Sequence, residues 1–280
     1  MLGSELSKVA KHAGLEVLEI SRSGSLRFDA RQESFTDFSR RIAISEDDFL
    51  VNAIGWIPQK SSGNLVLDEE SANLLNSKLI EDIAEARAES GFRWLQIGTD
   101  CVFSGEVGNY NEESHKDAQD LYGVSKISGE RFCSDALLVR CSIIGQETSS
   151  SFALYSWFKA ATQSGSVKGF KNHMWNGVTT TVFAKLAVGL FESQLRSCHQ
   201  HFIPGNQLSK FQLLRLFAEG LDVPPHAVEP FAAPTPVNRT LSTLNRDQNK
   251  KLWKLAGYDV IPDIDLYVRE MIQVDSERGA

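Results

Sequence analysis

The chain has 280 residues, enough to bury a full core in one large or two smaller domains, and its 42% hydrophobic and 23% charged content is that of an ordinary globular protein. A formal net charge of −7 excludes bulk attraction to nucleic acid or acidic membranes, while leaving room for a local basic pocket. No apolar run approaches the roughly 20 residues that span a bilayer, and no signal peptide opens the chain. The cysteines, Cys101, Cys133, Cys141 and Cys198, show neither Cys-x-x-Cys nor a metal-ligand spacing, so reduced buried thiols, no metal site and a cytoplasmic location are expected.

In chain order, Leu6, Val9, Ala10 and Ala13 predict an opening helix that stops at Gly14, and Leu15 to Ile20 reads as a strand. Asp47 to Gly55 contains a further apolar strand and the loop that follows it. Leu75, Leu79 and Ile83 repeat at helical spacing, and Phe92 to Ile97 is a buried strand. A polar loop from Ser104 to Asp120 leads to a helix-compatible run from Leu121 to Phe132. Helices are predicted over Phe152 to Gln163 and Val182 to Leu195, the latter with Phe183, Leu186, Ala187 and Leu190 on one face. Ser209 and Gln212 form a capping-box pair before Leu213 to Phe217, and Gly220 stops that helix. Pro224-Pro225 and Pro230 to Pro236 mark a loop rather than a linker, because periodic helices resume at Arg246 to Ala256 and Ile264 to Met271. There is no internal repeat or low-complexity tract.

The residues that carry chemistry lie in the first half. Tyr122 and Lys126 are four residues apart, so on a helix they share one face and an ammonium can sit beside a phenol. A positive neighbour favours the phenolate and draws the phenol down from about 10 toward the range of a general acid or base. Thr99 follows the buried strand and so stands at its carboxyl end, where open α/β sheets bind ligands. A lone Tyr-x-x-x-Lys pair is a weak signal. The order strand, polar loop, helix is what makes Thr99, Tyr122 and Lys126 a candidate proton-transfer site.

The stretch from Trp94 through Gly145 resembles the extended short-chain dehydrogenase/reductases, most closely their dTDP-4-dehydrorhamnose reductase branch. That branch typically carries Ser-Thr-Asp-Tyr-Val-Phe-Asp-Gly, then Tyr-Gly-x-Ser-Lys-x-x-Gly-Glu, then Val-Arg-Thr-Ser. Here the segments read Gly98-Thr99-Asp100-Cys101-Val102-Phe103-Ser104-Gly105, Tyr122-Gly123-Val124-Ser125-Lys126-Ile127-Ser128-Gly129-Glu130 and Val139-Arg140-Cys141-Ser142. Cys101 replaces the usual Tyr and Gly98 the usual Ser, departures that bear on the substrate rather than on the catalytic groups. The resemblance implies a doubly wound, Rossmann-like α/β parallel sheet over residues 1–145 and a smaller, mainly substrate-binding domain over 146–280. A part of the latter, about 178–203, is expected to return to the sheet.

The reaction implied is hydride transfer from NAD(P)H to a nucleotide-activated 4-keto-6-deoxy sugar. Tyr122 would protonate the forming alkoxide, Lys126 would lower its pKa and bind the cofactor ribose, and Thr99 would hold the carbonyl oxygen. A nucleotide-sugar epimerase or dehydratase uses the same triad, although dehydratases usually place an acidic pair after the Thr and Asp100-Cys101 supplies one acid. A catalytically silent sugar-nucleotide-binding or regulatory protein is a third reading. The partners implied are a nucleotide sugar and neither nucleic acid nor membrane, with a homodimer left open.

In this family an apolar strand and Gly-x-x-Gly-x-x-Gly open the fold. Met1-Leu2-Gly3-Ser4 matches the end of that fingerprint with Gly3 as its third glycine, so the first strand and the first two glycines are expected to be missing. The alternative is a helix-start glycine in a fold without that strand. As the end of the fingerprint, Leu2 and Gly3 would face the cofactor. Arg22 stands where an acidic residue would bond the adenosine ribose, and an Arg there can pair with a 2′-phosphate, favouring NADP(H) over NAD(H). Asp29 matches the acidic segment beside the adenine, Asn52, Ala53 and Ile54 the usual Asn-Ala-Ala-Ala loop, and Asn76 the family's helix Asn. Ile97, Tyr122 and Lys126 complete the cofactor-facing set.

On the substrate side the resemblance points to Cys101, Val102 and Phe103. Gly169 to Thr180 occupies the place of the family's Asp-Gln-x-Gly-x-Pro-Thr. There Trp175 would stack on a base or sugar, with Asn172, His173 and Asn176 bonding hydroxyls, or the segment is a packed loop with Trp175 in the core. Arg239 matches the Arg of an Arg-Pro-x-x-Ser-x-Leu segment and would hold a nucleotide diphosphate, with Thr240 replacing the Pro.

Overall fold

In the computed structural model, which describes residues 1–147 and 153–279, a helix α1 (Leu2–His12) precedes a short parallel pair, β1 (Ile20–Ser21) and β2 (Leu26–Arg27), and helix α2 (Phe35–Arg41). Strand β3 (Phe49–Asn52) leads to α3 (Leu65–Asn73), a π-helical turn over Leu74–Lys78, and α4 (Leu79–Ser90). Next come β4 (Arg93–Gly98), α5 (Leu121–Glu130), β5 (Leu137–Arg140), β6 (Ile143–Ile144) and α6 (Leu154–Thr162). After β7 (Val167–Phe170), β8 (His173–Trp175) and β9 (Val178–Thr179) the chain forms α7 (Thr180–Glu192) and β10 (Cys198–His201). The last elements are β11 (Leu208–Ser209), α8 (Lys210–Gly220), β12 (Val228–Phe231), β13 (Val237–Asn238), α9 (Arg246–Leu255) and α10 (Ile264–Gly279). Phe152, expected to start α6, lies outside the described residues.

The main sheet is parallel throughout, in the order β10-β5-β4-β3. Because side chains alternate along a strand, neighbouring residues serve opposite faces. Trp94 and Leu138 pack with Phe35, Phe38, Leu79, Ile80 and Ile83 of α2 and α4. Leu95, Leu137 and Val139 pack on the other side with Val182, Phe183 and Leu186 of α7. Helices on both faces explain why these strands read as near-continuous apolar runs, and they make the fold a doubly wound, Rossmann-like α/β structure. β10 joins β5 in register, Leu137 opposite Cys198.

The strand expected over Leu15 to Ile20 forms only at its end: Ile20 and Ser21 pair with Leu26 and Arg27, while 15–19 joins no ladder and Leu18 stays 65% exposed. Hydrophobic pattern alone does not make a strand; a hydrogen-bonded neighbour does, and among the described residues β3 is the edge of the main sheet. α1 is held instead from its other side, with Leu2 and Leu6 against the core and the Thr181 hydroxyl donating to Glu5 Oε1 at 2.7 Å. The capping box at α8 forms as the sequence predicts, Ser209 and Gln212 each bonding the other's backbone N–H.

The carboxyl-terminal segment is tied to the sheet through His201, which is completely buried. Arg140 Nη1 lies 2.8 Å from its Nε2, and its Nδ1 lies 2.8 Å from the Ser242 carbonyl. A guanidinium only donates, so Nε2 must accept and Nδ1 carries the proton: the imidazole is neutral. Burial, reinforced by the Arg140 charge, pulls it down to about 4. Since the folded value lies below that of the unfolded chain, the unfolded state binds more protons between about 6.5 and 4, and stability falls with pH through that window. The melting temperature is therefore expected to drop as pH is lowered from 7 toward 4.5 by roughly the amount such linkage implies. His201→Gln, which can accept and donate without titrating, should flatten the part of the fall above pH 5; a parallel profile for the two proteins would rule out this assignment.

Candidate active site

The site forms where the carboxyl end of β4 meets the first turns of α5. Thr99 leaves β4 in extended conformation (φ −138°, ψ 147°) and caps a 3-10 turn over Asp100–Val102, its hydroxyl accepting from the Cys101 N–H at 3.2 Å. Asp120 caps α5 by accepting from the Gly123 N–H at 3.0 Å. Gly123 is the steric condition for their meeting: a Cβ there would overlap Ala118 and the Cys101 carbonyl. With that room, α5 lies against the Thr99 turn and the Tyr122 phenol comes beside the Thr99 hydroxyl. Lys126, one turn on, places Nζ 5.9 Å from the centre of the Tyr122 ring.

The far side of Lys126 is set by Asn76, in the π-turn. Its amide donates to the Trp56 carbonyl and to Ser125 Oγ, both at 3.0 Å, and its oxygen accepts from the Trp56 N–H at 2.9 Å. The loop after β3 is thereby bolted to α5. Gly55 sits between them so closely that a Cβ would lie 3.0 Å from Asn76 Oδ1 and 3.3 Å from Lys126 Nζ. Asn52 orders the same loop, bonding Gln96 at 2.9 Å and accepting from the Ile54 N–H at 3.0 Å. π-turns insert one residue into a helix and re-aim the side chains on it, here Asn76.

Burial rules the electrostatics. It pushes the Tyr122 phenol well above its ordinary value, with Cys101 and Asp100 adding to the rise and the neighbouring Thr99 hydroxyl opposing it. It draws the Lys126 ammonium down to about 8. The sequence-based expectation that Lys126 brings the phenol down is thus not met in this state of the protein: desolvating a phenolate outweighs attraction from an ammonium about 6 Å away. Tyr122 is a protonated donor over the whole physiological range. Burial also raises Asp100, against the pull of Lys210 and Arg239, and lifts the Cys101 thiol to about 12.

Beyond Lys126 a cleft of about 920 Å³ opens along the carboxyl end of the sheet. Arg22, Asp29, Ala53 and Ile54 line it together, joined by Arg31 and Gly55. Gly3 faces this region too, a Cβ on it lying 3.6 Å from Ala53. Leu2 instead packs into the core, and Ile97 is partly buried on β4 beneath the site.

Several expected substrate contacts prove to be structural. Val102 and Phe103 are fully buried, Phe103 stacked on Tyr110 with centroids 4.3 Å apart, so their side chains cannot reach a ligand. Trp175 is 3% exposed, its indole N–H donating to Ser142 Oγ at 2.9 Å. Both ends of the Asn176 amide are taken by the backbone of Leu241, at 2.7 and 2.9 Å. Asn172 is likewise bonded to Ala233, and His173 to the Thr235 carbonyl. For the residues from Asn172 to Asn176 the reason is shared: this segment supplies β8, the middle strand of a β11-β8-β13 sheet, and packs rather than presents. Arg239 does reach the site, donating to the Phe103 carbonyl at 2.9 Å, with Cys101 Sγ 3.9 Å and Asp120 3.7 Å away. Lys210, unremarked in the sequence, stands on the same side; the signal was a cation in the first turn of a helix, against the helix dipole.

The family model described as the RmlD substrate binding domain matches residues 1–273. The chain belongs to this family. Its fold is shared with a hypothetical dTDP-4-dehydrorhamnose reductase from Sulfolobus tokodaii (23% identity, 89% of this chain and 90% of that one, TM-score 0.73). A dTDP-4-dehydrorhamnose reductase from Clostridium acetobutylicum superposes at TM-score 0.75 (17% identity, 98% and 96% covered). The Bordetella bronchiseptica enzyme WbmG, solved with NAD and UDP, does so at TM-score 0.75 (14% identity, 100% and 92% covered). Comparison with curated proteins returned no match. The link between the β3 loop and α5 has a measurable weight. Asn76→Ala would strand the Trp56 carbonyl and N–H and is expected to cost about 1–3 kcal/mol per polar group left without a partner, read from urea unfolding. A variant as stable as the parent would mean that water replaces the amide.

Proposed function

We propose that the chain is an NAD(P)H-dependent oxidoreductase that reduces a nucleotide-activated 4-keto-6-deoxy sugar. The observation that carries this reading is the juxtaposition of the Tyr122 phenol and the Thr99 hydroxyl where α5 meets the end of β4, with Lys126 Nζ on the next turn of the same helix. Two hydroxyls on one side and an ammonium on the other suit a carbonyl oxygen that gains negative charge as it is reduced. Thr99 orients the oxygen, Tyr122 gives up its proton to it, and the developing charge at the phenol is balanced by Lys126. Burial raises Asp100, which lessens the negative charge that would oppose the forming alkoxide.

The residues present fit a dinucleotide. The cleft of about 920 Å³ is large enough for its adenosine half. The loop after β3 lines the cleft through Ala53, Ile54 and Gly55, held against Asn76 and Lys126 at Gly55. Arg22 and Arg31 on the cleft wall favour a phosphorylated ribose, hence NADP(H). Bound there, the nicotinamide would supply the hydride. A dTDP-4-dehydrorhamnose reductase from Bacillus anthracis was solved with NADP, and MoeE5 with UDP-glucose and NAD, which supports this choice of cofactor class and substrate class.

NADPH consumption with dTDP-4-keto-6-deoxy sugars is the direct test. Tyr122→Phe should lower kcat by about 10²–10⁴, the range for loss of a general acid, with little effect on cofactor affinity. Unaltered turnover in that variant would end the mechanism. Lys126 bears its charge below about 8 and loses it above, so kcat/KM should fall as pH rises through that value. Lys126→Met should abolish the alkaline limb together with most of the rate; a limb that survives in the variant would assign it elsewhere.

A further inference from the structure

Arg239 is fixed at its base and loosely held at its tip. The Asn238 N–H donates to the Gly105 carbonyl at 2.6 Å, and the Arg239 stem passes Gly105 so closely that a Cβ there would lie 2.9 Å from Arg239 Cγ. Nε then donates to the Phe103 carbonyl at 2.9 Å. These contacts carry the guanidinium to the turn that Thr99 caps. Its Nη1 lies 3.9 Å from Cys101 Sγ, and the Cys101 N–H is the group that donates to the Thr99 hydroxyl.

Asp120 meets the same guanidinium from α5. One carboxylate oxygen, Oδ1, accepts from the Gly123 N–H at 3.0 Å and caps the helix that carries Tyr122 and Lys126. The other, Oδ2, lies 3.7 Å from Arg239 Nη2. A charge-assisted hydrogen bond is about 2.7–2.9 Å long, so this pair attracts across a gap, and because Asp120 is exposed the attraction holds neither residue in place. Each is fixed by other contacts, Asp120 by the helix cap and Arg239 by Phe103 and Gly105. Among the described residues Arg239 Nη2 makes no hydrogen bond, so its N–H groups remain to be taken. Any anion that takes them must do so beside a carboxylate of the same sign.

We propose that Asp120 is a specificity-determining residue that competes with the substrate for Arg239: in the free protein its carboxylate stands in for the diphosphate of a nucleotide sugar. The diphosphate wins because it can offer the guanidinium direct, paired N–H···O bonds, which Asp120, tied to the helix cap, does not make. The repulsion that remains grows with the charge of the ligand. A nucleoside diphosphate, whose terminal phosphate is free, is therefore turned away more strongly than a nucleotide sugar, in which the sugar caps that phosphate. The proposal rests on the nucleotide-sugar reading above.

Calorimetric binding of dTDP-glucose, UDP-glucose and dTDP to the parent and to Asp120→Asn tests it. Asn accepts the same Gly123 N–H, so the cap is kept while the charge is removed. Affinity for the two sugars should rise by about two- to fivefold, the weight of an exposed ion pair, and affinity for dTDP by more, narrowing the preference for dTDP-glucose over dTDP. The gain should shrink as salt is added and vanish when Arg239→Met is the background. Parent-like or weaker affinity in Asp120→Asn, an unchanged preference for the sugar over dTDP, or the same gain without Arg239 overturns the proposal and leaves the reductase reading standing. A parent that binds neither sugar overturns the nucleotide-sugar reading and the proposal with it. Should Asp120→Asn melt below the parent, Asp120→Ser, a second uncharged cap, gives the same comparison.

Discussion

The close approach of α5 to its two neighbours is the constraint on which the site depends. At one end Gly123 lets the helix lie against the Cys101 carbonyl; at the other, Gly129 lets it lie against the Asn76 carbonyl, where a Cβ would overlap backbone. Tyr122, Ser125 and Lys126 are carried between these two contacts. The first brings Tyr122 to Thr99, and the second brings Ser125 to the Asn76 amide and so to the loop after β3. Close-packed backbone of this kind does not relax around an added methyl group, which gives the two glycines a role that neither flexibility nor turn formation explains.

Given that frame, the chemistry follows from dehydration more than from pairing. Tyr122 is raised and Lys126 lowered by the same cause, removal of water. A proton donor that holds its proton in the resting state and faces a depressed lysine is suited to act when negative charge develops beside it, and not before. Asp100 and Lys210 obey the same rule, one raised and one lowered.

His201 displays the same physics away from the site. Its two ring nitrogens are committed to Arg140 and to the Ser242 carbonyl, so it joins the sheet to the carboxyl-terminal segment that bears Arg239. Glu112 reinforces the join by accepting from the His201 N–H, Gln200, Thr243 and the Leu244 N–H. Arg239 is therefore positioned by contacts made along the whole segment from Asn238 to Leu244 and not by its own salt bridge, which is long and exposed.

Local pattern determined the parts that depend on neighbours along the chain. The β4 strand, the α5 helix with Tyr122 and Lys126 one turn apart, and the Ser209 capping box all follow from spacing, because helical and strand periods are properties of a few consecutive residues. The triad and the family motifs around it were legible for that reason. Tertiary structure decided what depends on residues far apart: that 15–19 finds no ladder while Ile20 and Ser21 do, that a π-turn aims Asn76 at Trp56, that Phe103 and Trp175 are buried and Asn176 is spent on Leu241. It also decided the direction of the Tyr122 shift. Spacing can place an ammonium beside a phenol, but only the packed fold determines how much water surrounds either of them.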